Sequence, residues 1–342
     1  MTKENRPLLA ITIGDPAGVG PEITAKALTW EEVYRTIRPL VIGDAGVMRK
    51  AIEICKKDLK VNIVEKPEDG LYRLGTIDVL DLKNVDVEKL EYGKVDPMCG
   101  KAAVEYVRKG IQMAQDGQVD GIVTAPLNKE SMNKAGFHYA GHTEILGEAC
   151  GTKDFAMMLV AGNLRIVHVS THVSLRQAIE RCKRPRVLAT IRLAHNACRE
   201  LGIEKPRIAV AGINPHAGED RLFGDEDLDE ILPAIEEARK EGIDASGPWP
   251  PDTVFWRALK GRFDGVVAQY HDQGHIAAKV AAFETGVNTT LGLPIIRTSV
   301  DHGTFFRQAG QGTANEESLI YAIRVGHAQA CVRKGYDPCA IA

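Results

Sequence analysis

Three histidines, each closing an apolar run, carry the clearest chemical signal in this 342-residue chain. The runs are Arg165-Ile-Val-His-Val-Ser-Thr-His172, Arg207-Ile-Ala-Val-Ala-Gly-Ile-Asn-Pro-His216 and Gly265-Val-Val-Ala-Gln-Tyr-His271. Each reads as a buried strand ending in a polar turn with an imidazole at its tip. In open α/β sheets the carboxyl ends of strands are where sites assemble. Three such ends can bring three imidazoles to one divalent ion and leave positions open for a substrate. Taken singly, each histidine could instead cap a strand or satisfy a loop carbonyl. The repetition in one context favours the metal.

Two further stretches have chemical potential. Gly141-His-Thr-Glu144 opens a helix through Cys150. His142 and Thr143 at that N-terminus, beside exposed backbone amides, suit an anion such as phosphate or carboxylate. Plain N-capping by Thr143 is the alternative. Gly14-Asp-Pro-Ala-Gly-Val-Gly-Pro-Glu22 joins the β-prone run 8–13 to a helix over 23–28. Pro21 suits the first helical position, and Glu22 favours the positive end of the helix dipole. The stretch is neither a dinucleotide fingerprint nor a P-loop. It is either a tight turn or a loop whose amides face a ligand.

The elements that must position these residues alternate along the chain. Apolar runs predict strands over 40–42, 61–64, 77–80, 121–125, 207–213 and 265–269, and a hairpin or adjacent strands over 157–160 and 165–169. Helical spacing predicts helices over 47–57, 100–115, 130–134, 185–201, 228–241, 276–282 and 316–333. Pro248-Trp-Pro-Pro-Asp-Thr253 reads as a proline-rich turn carrying the carboxylate of Asp252. The alternation predicts an α/β fold with a largely parallel sheet. The length suits two domains, and the missing linker predicts that the chain crosses between them and returns.

Bulk composition excludes several classes. Hydrophobic residues make up 44% and charged residues 26%, as in a globular protein. The net charge is −3 with Lys and Arg scattered, which argues against a nucleic-acid partner. No run reaches membrane-span length, and the start lacks the apolar core of a signal peptide, so a cytoplasmic location is expected. Seven scattered cysteines (Cys55, Cys99, Cys150, Cys182, Cys198, Cys331, Cys339) form no Cys-x-x-Cys pair and fit reduced thiols.

Together the motifs resemble the 4-hydroxythreonine-4-phosphate dehydrogenase family. The resemblance runs from Gly14–Glu22 through Thr124-Ala-Pro-Leu-Asn-Lys129, Gly141–Glu144, Thr171-His172, Asn214-Pro-His-Ala-Gly-Glu219, Pro251-Asp-Thr253 and Tyr270-His-Asp-Gln-Gly274. It closes on Gly292-Leu-Pro-Ile-Ile-Arg-Thr-Ser-Val-Asp-His-Gly-Thr304, so it covers nearly the whole chain. The resemblance implies an isocitrate/isopropylmalate-dehydrogenase-like fold in which two α/β/α domains flank a cleft. One domain would comprise 1–130 plus 290–342, on the cofactor side. The other, 131–289, would carry the metal ligands and the dimer interface. A homodimer with a shared active site is implied, with one metal ligand from the neighbouring subunit. The implied metal is divalent (zinc, with magnesium or cobalt as substitutes) and matches His172, His216 and His271. The phosphorylated substrate would meet His142, Thr143, Lys279, Asn288 and Arg297. The Asp301-His302-Gly303-Thr304 turn looks like the loop that surrounds the adenosine of NAD or NADP in the wider superfamily.

The implied chemistry makes sense of these residue types. A 3-hydroxy acid with a terminal phosphate would lose hydride to nicotinamide and then carbon dioxide, with a divalent ion steadying the developing negative charge. Lys279 and Asp252 are candidates to move the proton, with His142 a further catalytic candidate. Arg297 offers a fork that matches phosphate or carboxylate. The motifs look most like the branch acting on 4-phospho-D-threonate or 4-phospho-D-erythronate, which would yield dihydroxyacetone phosphate and CO2. The vitamin B6 enzyme of pyridoxal phosphate biosynthesis is the runner-up. A metallohydrolase and a non-catalytic binding protein on the same scaffold are the readings from other classes. One departure from the family pattern is Phe305-Phe-Arg-Gln308, where small and acidic residues are usual. Arg307 there is expected to make the site more tolerant of the 2′-phosphate of NADP.

Overall fold

The β-prone run after residue 7 forms β1 (Leu8–Thr12), and every one of its residues is buried. The computed structural model describes residues 6–139, 141–152 and 154–336. Cys339 and the N-terminal start therefore lie outside the described residues; the other six cysteines are free thiols. After β1 come α1 (Gly20–Ala27), α2 (Glu31–Thr36), β2 (Arg38–Gly43), α3 (Ala45–Ile54), β3 (Lys60–Val64) and β4 (Thr76–Asp81). Next are α4 (Pro97–Gln115), β5 (Gly121–Thr124), α5 (Lys129–Lys134) and α6 (His142–Cys150). Local chemistry sets the boundaries. Asp44, Asp96 and Asn128 cap α3, α4 and α5 by accepting backbone N–H bonds.

The chain then builds β6 (Ala156–Ala161), β7 (Leu164–His168), α7 (Leu175–Arg181), α8 (Arg184–Glu200), β8 (Ile208–Ala211), α9 (Leu232–Lys240) and β9 (Ala245–Trp249). It continues through α10 (Pro251–Leu259), β10 (Gly265–Ala268), α11 (His271–Ala281), β11 (Val287–Leu291), β12 (Arg297–Val300) and α12 (Glu317–Lys334). Two compact units result: Met1–Lys153 with Leu293–Ala342, and Asp154–Gly292. In unit 1 the strand order is β3-β4-β2-β1-β5-β12, all parallel. In unit 2 it is β11-β6-β7-β10-β8-β9; β6 and β7 form an antiparallel hairpin and β11 runs antiparallel to β6. The remaining pairs there are parallel. Parallel strands are covered on both faces, which is why they read as unbroken apolar runs. The unit 2 core packs Ile166, Ala209 and Val266 from three such strands against Val254 and Phe255 of α10.

Several expectations need correction. The first crossing falls at 153/154 rather than after residue 130, because α5 and α6 both pack on α4. The return falls at 292/293 rather than after 289. The proline-rich stretch 248–253 is not a turn alone. Its first half ends β9, an edge strand that tolerates proline, and Pro251 opens α10 with its φ already helical. The helix expected from Ile276 starts at His271. Gly274 depresses helix propensity in that segment, yet only glycine fits, since a Cβ there would stand 2.3 Å from His168 Nε2. Strands β11 and β12 and helices α2 and α7 were not expected. No described helix is long and apolar enough to cross a membrane.

Candidate active site

In unit 2 the structure brings His172 and His271 together. His172 lies four residues past the end of β7, just before Ser174 caps α7 through a reciprocal box with Gln177. His271 is the first residue of α11. Their ring centroids stand 5.6 Å apart. Both line an open cavity of about 620 Å3 with Thr171, Ser174, Tyr270 and Asp272. The Nδ1 of His271 contacts the Asp272 carboxylate at 2.6 Å. A carboxylate on one ring nitrogen fixes the tautomer and presents the other nitrogen as a ligand, the usual support for a metal-bound imidazole. Gln273 steadies this corner: its side chain accepts from Gln269 N and donates to Gly212 O, at 2.7 and 2.8 Å.

Sequence reasoning assigned no role to His168 or His275. The ring of His275 stacks on His271 at 3.6 Å with planes 10° apart, and His168 follows at 4.7 Å. The signal was available in the i, i+4 spacing of His271 and His275 on one helix face. His168 is buried, and its burial, with His275 beside it, pulls its pKa down to about 3.

The other predicted residues of unit 2 stand elsewhere. His216 occupies a left-handed turn after β8, its ring 6.2 Å from that of Phe223. Among the described residues no three His, Cys, Asp or Glu side chains form a metal cluster. Neither His216, Lys279 nor Asp252 lines the cavity of His172 and His271. Lys279 is two turns along α11 from His271, its ammonium 5.3 Å from the Phe283 ring centroid. Asp252 is exposed in the first turn of α10. Asn288 lies in β11 opposite Leu159, with its amide 2.9 Å from Met157 Sδ. The donor chemistry of His172 and His271 fits a divalent ion, but a catalytic centre of this kind takes three protein ligands.

In unit 1 the anion-seeking residues converge. Arg297 begins β12, is 3% exposed, and donates through Nη2 and Nε to Thr124 Oγ1 at 2.8 and 3.2 Å. Burial pulls its guanidinium down to about 9, so it remains a cation at neutral pH. His142 opens α6, whose N-cap Gly141 supplies no side-chain cap. Thr143 is not the N-cap; it follows as the second residue of the helix. Burial first, and the charge of Arg297 second, hold His142 far below the usual imidazole range. Its Nε2 is sealed from solvent and meets no hydrogen-bond partner. A neutral imidazole, a desolvated guanidinium and a helix N-terminus together suit a phosphate or carboxylate.

The glycine-rich loop resolves toward its structural reading. Its amides are used internally: Asp15 N to Pro126 O, Ala17 N to Asp15 Oδ1, Gly18 N to Asp15 O and Val19 N to Thr304 O, at 2.8 to 3.1 Å. Glu22 does more than oppose a helix dipole. Fully buried, it accepts from Gly310 N at 2.6 Å and Gly312 N at 2.7 Å. The loop thus braces the segment after β12 that contains Asp301, His302, Gly303 and Thr304. There the His302 ring stacks on Phe305 at 4.8 Å with planes 10° apart, and Phe305 is 45% exposed. A Cβ at Gly303 would meet nothing within 4 Å. An exposed flat ring beside open space suits an adenosine group. Arg307 is exposed on the same segment.

The model of the family described as "Pyridoxal phosphate biosynthetic protein PdxA" matches residues 35–326. A relative from Symbiobacterium thermophilum is 50% identical over 323 residues, covering 94% of this chain and 96% of its own length. One from Clostridium botulinum is 47% identical over 319 residues, covering 93% and 96%. Both carry the name "Putative D-threonate 4-phosphate dehydrogenase". The crystal structure of a 4-hydroxythreonine-4-phosphate dehydrogenase from Burkholderia phymatum superposes with a TM-score of 0.85 at 45% identity, covering 95% of this chain and 98% of that one. A family match over most of the chain, with relatives of this identity and coverage, places this protein in the PdxA family.

Proposed function

We propose that this protein is an NAD(P)-dependent and divalent-metal-dependent dehydrogenase that oxidises and decarboxylates a 4-phosphorylated 3-hydroxy acid. The substrate proposed is 4-phospho-D-threonate or 4-phospho-D-erythronate, and the products are dihydroxyacetone phosphate and CO2. The observation that carries the reading is the buried Arg297 guanidinium beside neutral His142 at the start of α6, a pair whose chemistry suits an anion. The names of the relatives at 47–50% identity support the D-threonate branch. The name of the solved relative supports the runner-up, 4-hydroxythreonine-4-phosphate dehydrogenase, which differs at C2 in amine versus hydroxyl.

In this reading Arg297, His142 and Thr143 hold the phosphate, and Asn288 is a further substrate-binding residue. His172 and His271 hold the ion, and Asp272 orients His271. His216 of the partner subunit supplies the third imidazole in a homodimer. Exposed apolar side chains support that dimer: Ile276 and Val280 on one face of α11 are 63% and 84% exposed, and Phe283 just beyond is 70% exposed. When bound, the ion would supply stabilisation of negative charge on the substrate oxygen, and a nicotinamide would supply the hydride acceptor. Lys279 takes the proton from the C3 hydroxyl and returns one to the carbon left by CO2, with Asp252 as its alternative.

The test is NAD and NADP reduction with 4-phospho-D-threonate, 4-phospho-D-erythronate and 4-phosphooxy-L-threonine, with and without chelator, while CO2 is trapped. The proposal expects chelator-sensitive reduction and CO2 release with one of the first two. Turnover confined to the third substrate selects the runner-up. Phosphate release without cofactor reduction would make the protein a metallohydrolase.

A further inference from the structure

After β8 the backbone takes an uncommon path. His216, Ala217, Gly218, Glu219, Asp220 and Arg221 have φ values of 53°, 57°, 82°, 40°, 50° and 76°. Six consecutive residues are left-handed, and only one is a glycine. Each of the others brings its Cβ close to the following carbonyl oxygen, so the turn opposes itself. Such strain persists only where the surroundings over-determine the geometry.

Those surroundings lie mainly in one short element. A π-helical turn over Asp227–Ile231 leads into α9. The fully buried Asp227 grips the upstream side of the strained turn. Its Oδ1 accepts from Ile213 N at 2.9 Å, and its Oδ2 accepts from Asn214 N at 3.2 Å and Asn214 Nδ2 at 3.0 Å. Glu226 accepts from the same Asn214 amide at 2.8 Å. Gly212 is wedged between: a Cβ there would stand 2.7 Å from Asp227 Oδ1 and 2.8 Å from Ala217 Cα. On the downstream side Arg221 reaches Asp225 at 2.8 Å and Asp229 at 2.7 Å. Both ends of the left-handed turn are thus tied to the start of one helix, and His216 opens that turn.

We propose that Asp227 is a positioning residue: with Arg221 it locks the left-handed turn 216–221 and so fixes the direction in which His216 presents its imidazole to a divalent ion. The inference rests on the reading of His216 as a metal ligand. It assigns a task to strain that backbone propensity alone would have removed. A partner that orients a ligand acts on affinity through that ligand alone.

The test uses the full chain and Co2+ as probe, followed by its visible ligand-field spectrum and by titration. Asp227→Asn keeps the shape but offers the loop one acceptor and one conflicting donor. It is expected to weaken Co2+ binding by roughly 10- to 100-fold, with a changed spectrum. In a His216→Ala background the same substitution is expected to change Co2+ affinity no further. A structural brace without this role would lose equal affinity in both backgrounds, which overturns the proposal, as does unchanged affinity in Asp227→Asn. If Asp227→Asn does not fold, Arg221→Gln on the exposed side decides, with a smaller loss expected and no loss overturning the proposal. Wild-type Co2+ affinity in His216→Ala alone would instead refute His216 as a ligand, and the inference with it.

Discussion

The guanidinium of Arg297 and the hydroxyl of Thr124 are locked together by two donors on one acceptor, Nη2 at 2.8 Å and Nε at 3.2 Å. The strands that carry them, β12 and β5, are parallel neighbours, so the sheet itself aims the cation. Thr124→Val keeps the shape and removes the acceptor, and the Michaelis constant for the phosphorylated substrate should rise roughly tenfold, in line with loss of one charge-assisted bond. Arg297→Lys should cost more, since a point charge replaces the fork. Raising the pH through about 9 removes the charge, so substrate affinity should fall on the alkaline side. Steady-state kinetics against pH checks all three; an unchanged constant in Thr124→Val would separate Arg297 from the anion.

Metal affinity should depend on Asp272. Replacing it by Asn removes the carboxylate from His271 Nδ1, and metal affinity should drop by roughly tenfold, the lower end for such partners because Asp272 is largely exposed. His271→Ala and His172→Ala should lose more. Competition titration with a chromogenic chelator reads this directly, and equal affinity in Asp272→Asn would show that the contact does not serve a ligand.

Asp15 makes a prediction about stability. Burial raises its pKa from 3.8 to about 6. A carboxyl raised in the folded state contributes stability that is fully present below pH 3.8 and is lost as pH rises through about 6. The loss approaches 3 kcal/mol, from about 2.2 pH units at about 1.36 kcal/mol each. Asp15→Asn cannot ionise, so melting curves taken from pH 4 to 7 should decline less in the variant than in the parent. Parallel curves would mean that the carboxyl is not penalised where it sits.

Arg307 should influence cofactor choice. Its exposed guanidinium lies on the segment braced by Glu22. Arg307→Ala is expected to weaken NADP by roughly tenfold relative to NAD, the value of one charge-assisted contact. Fluorescence titration with both reduced cofactors decides it, and an unchanged NADP-to-NAD ratio would rule the residue out.

Much of this was legible in the sequence because central parallel strands write themselves as apolar runs. β1, β5, β8 and β10 could be read that way, and with them the neighbourhoods of Thr124, His216 and His271. The edges were harder. β9 contains a proline, and β11 and β12 mix Asn, Thr and Arg with apolar residues, so none shows a clean period. Helix α11 was read late because Gly274 hides its first turn. Tertiary polar contacts left no local trace. Glu22 looks like a dipole partner until Gly310 and Gly312 appear against it, from nearly 300 residues away. The left-handed turn at 216–221 had only one glycine to announce it. His142 and Thr143 were visible as anion candidates, but that His142 is held neutral depends on its burial first and then on Arg297, which lies far along the chain.

The interruption of unit 1 by unit 2 orders events on the ribosome. Domains fold as units while synthesis proceeds from the N-terminus. Once residue 292 has emerged, every strand of unit 2 is available, whereas unit 1 still lacks β12 and α12. Until then β5, paired with β1 on one side only, is an apolar edge, the kind of strand that recruits wrong partners. The last stretch of the chain closes that edge with β12 and covers it with α12, which packs on β1, β5 and β12. Arg297 arrives in the same stroke. Unit 1 therefore acquires the buried Arg297 cation only as its aggregation-prone edge disappears, and a chain stalled before residue 297 would carry the hazard without that cation.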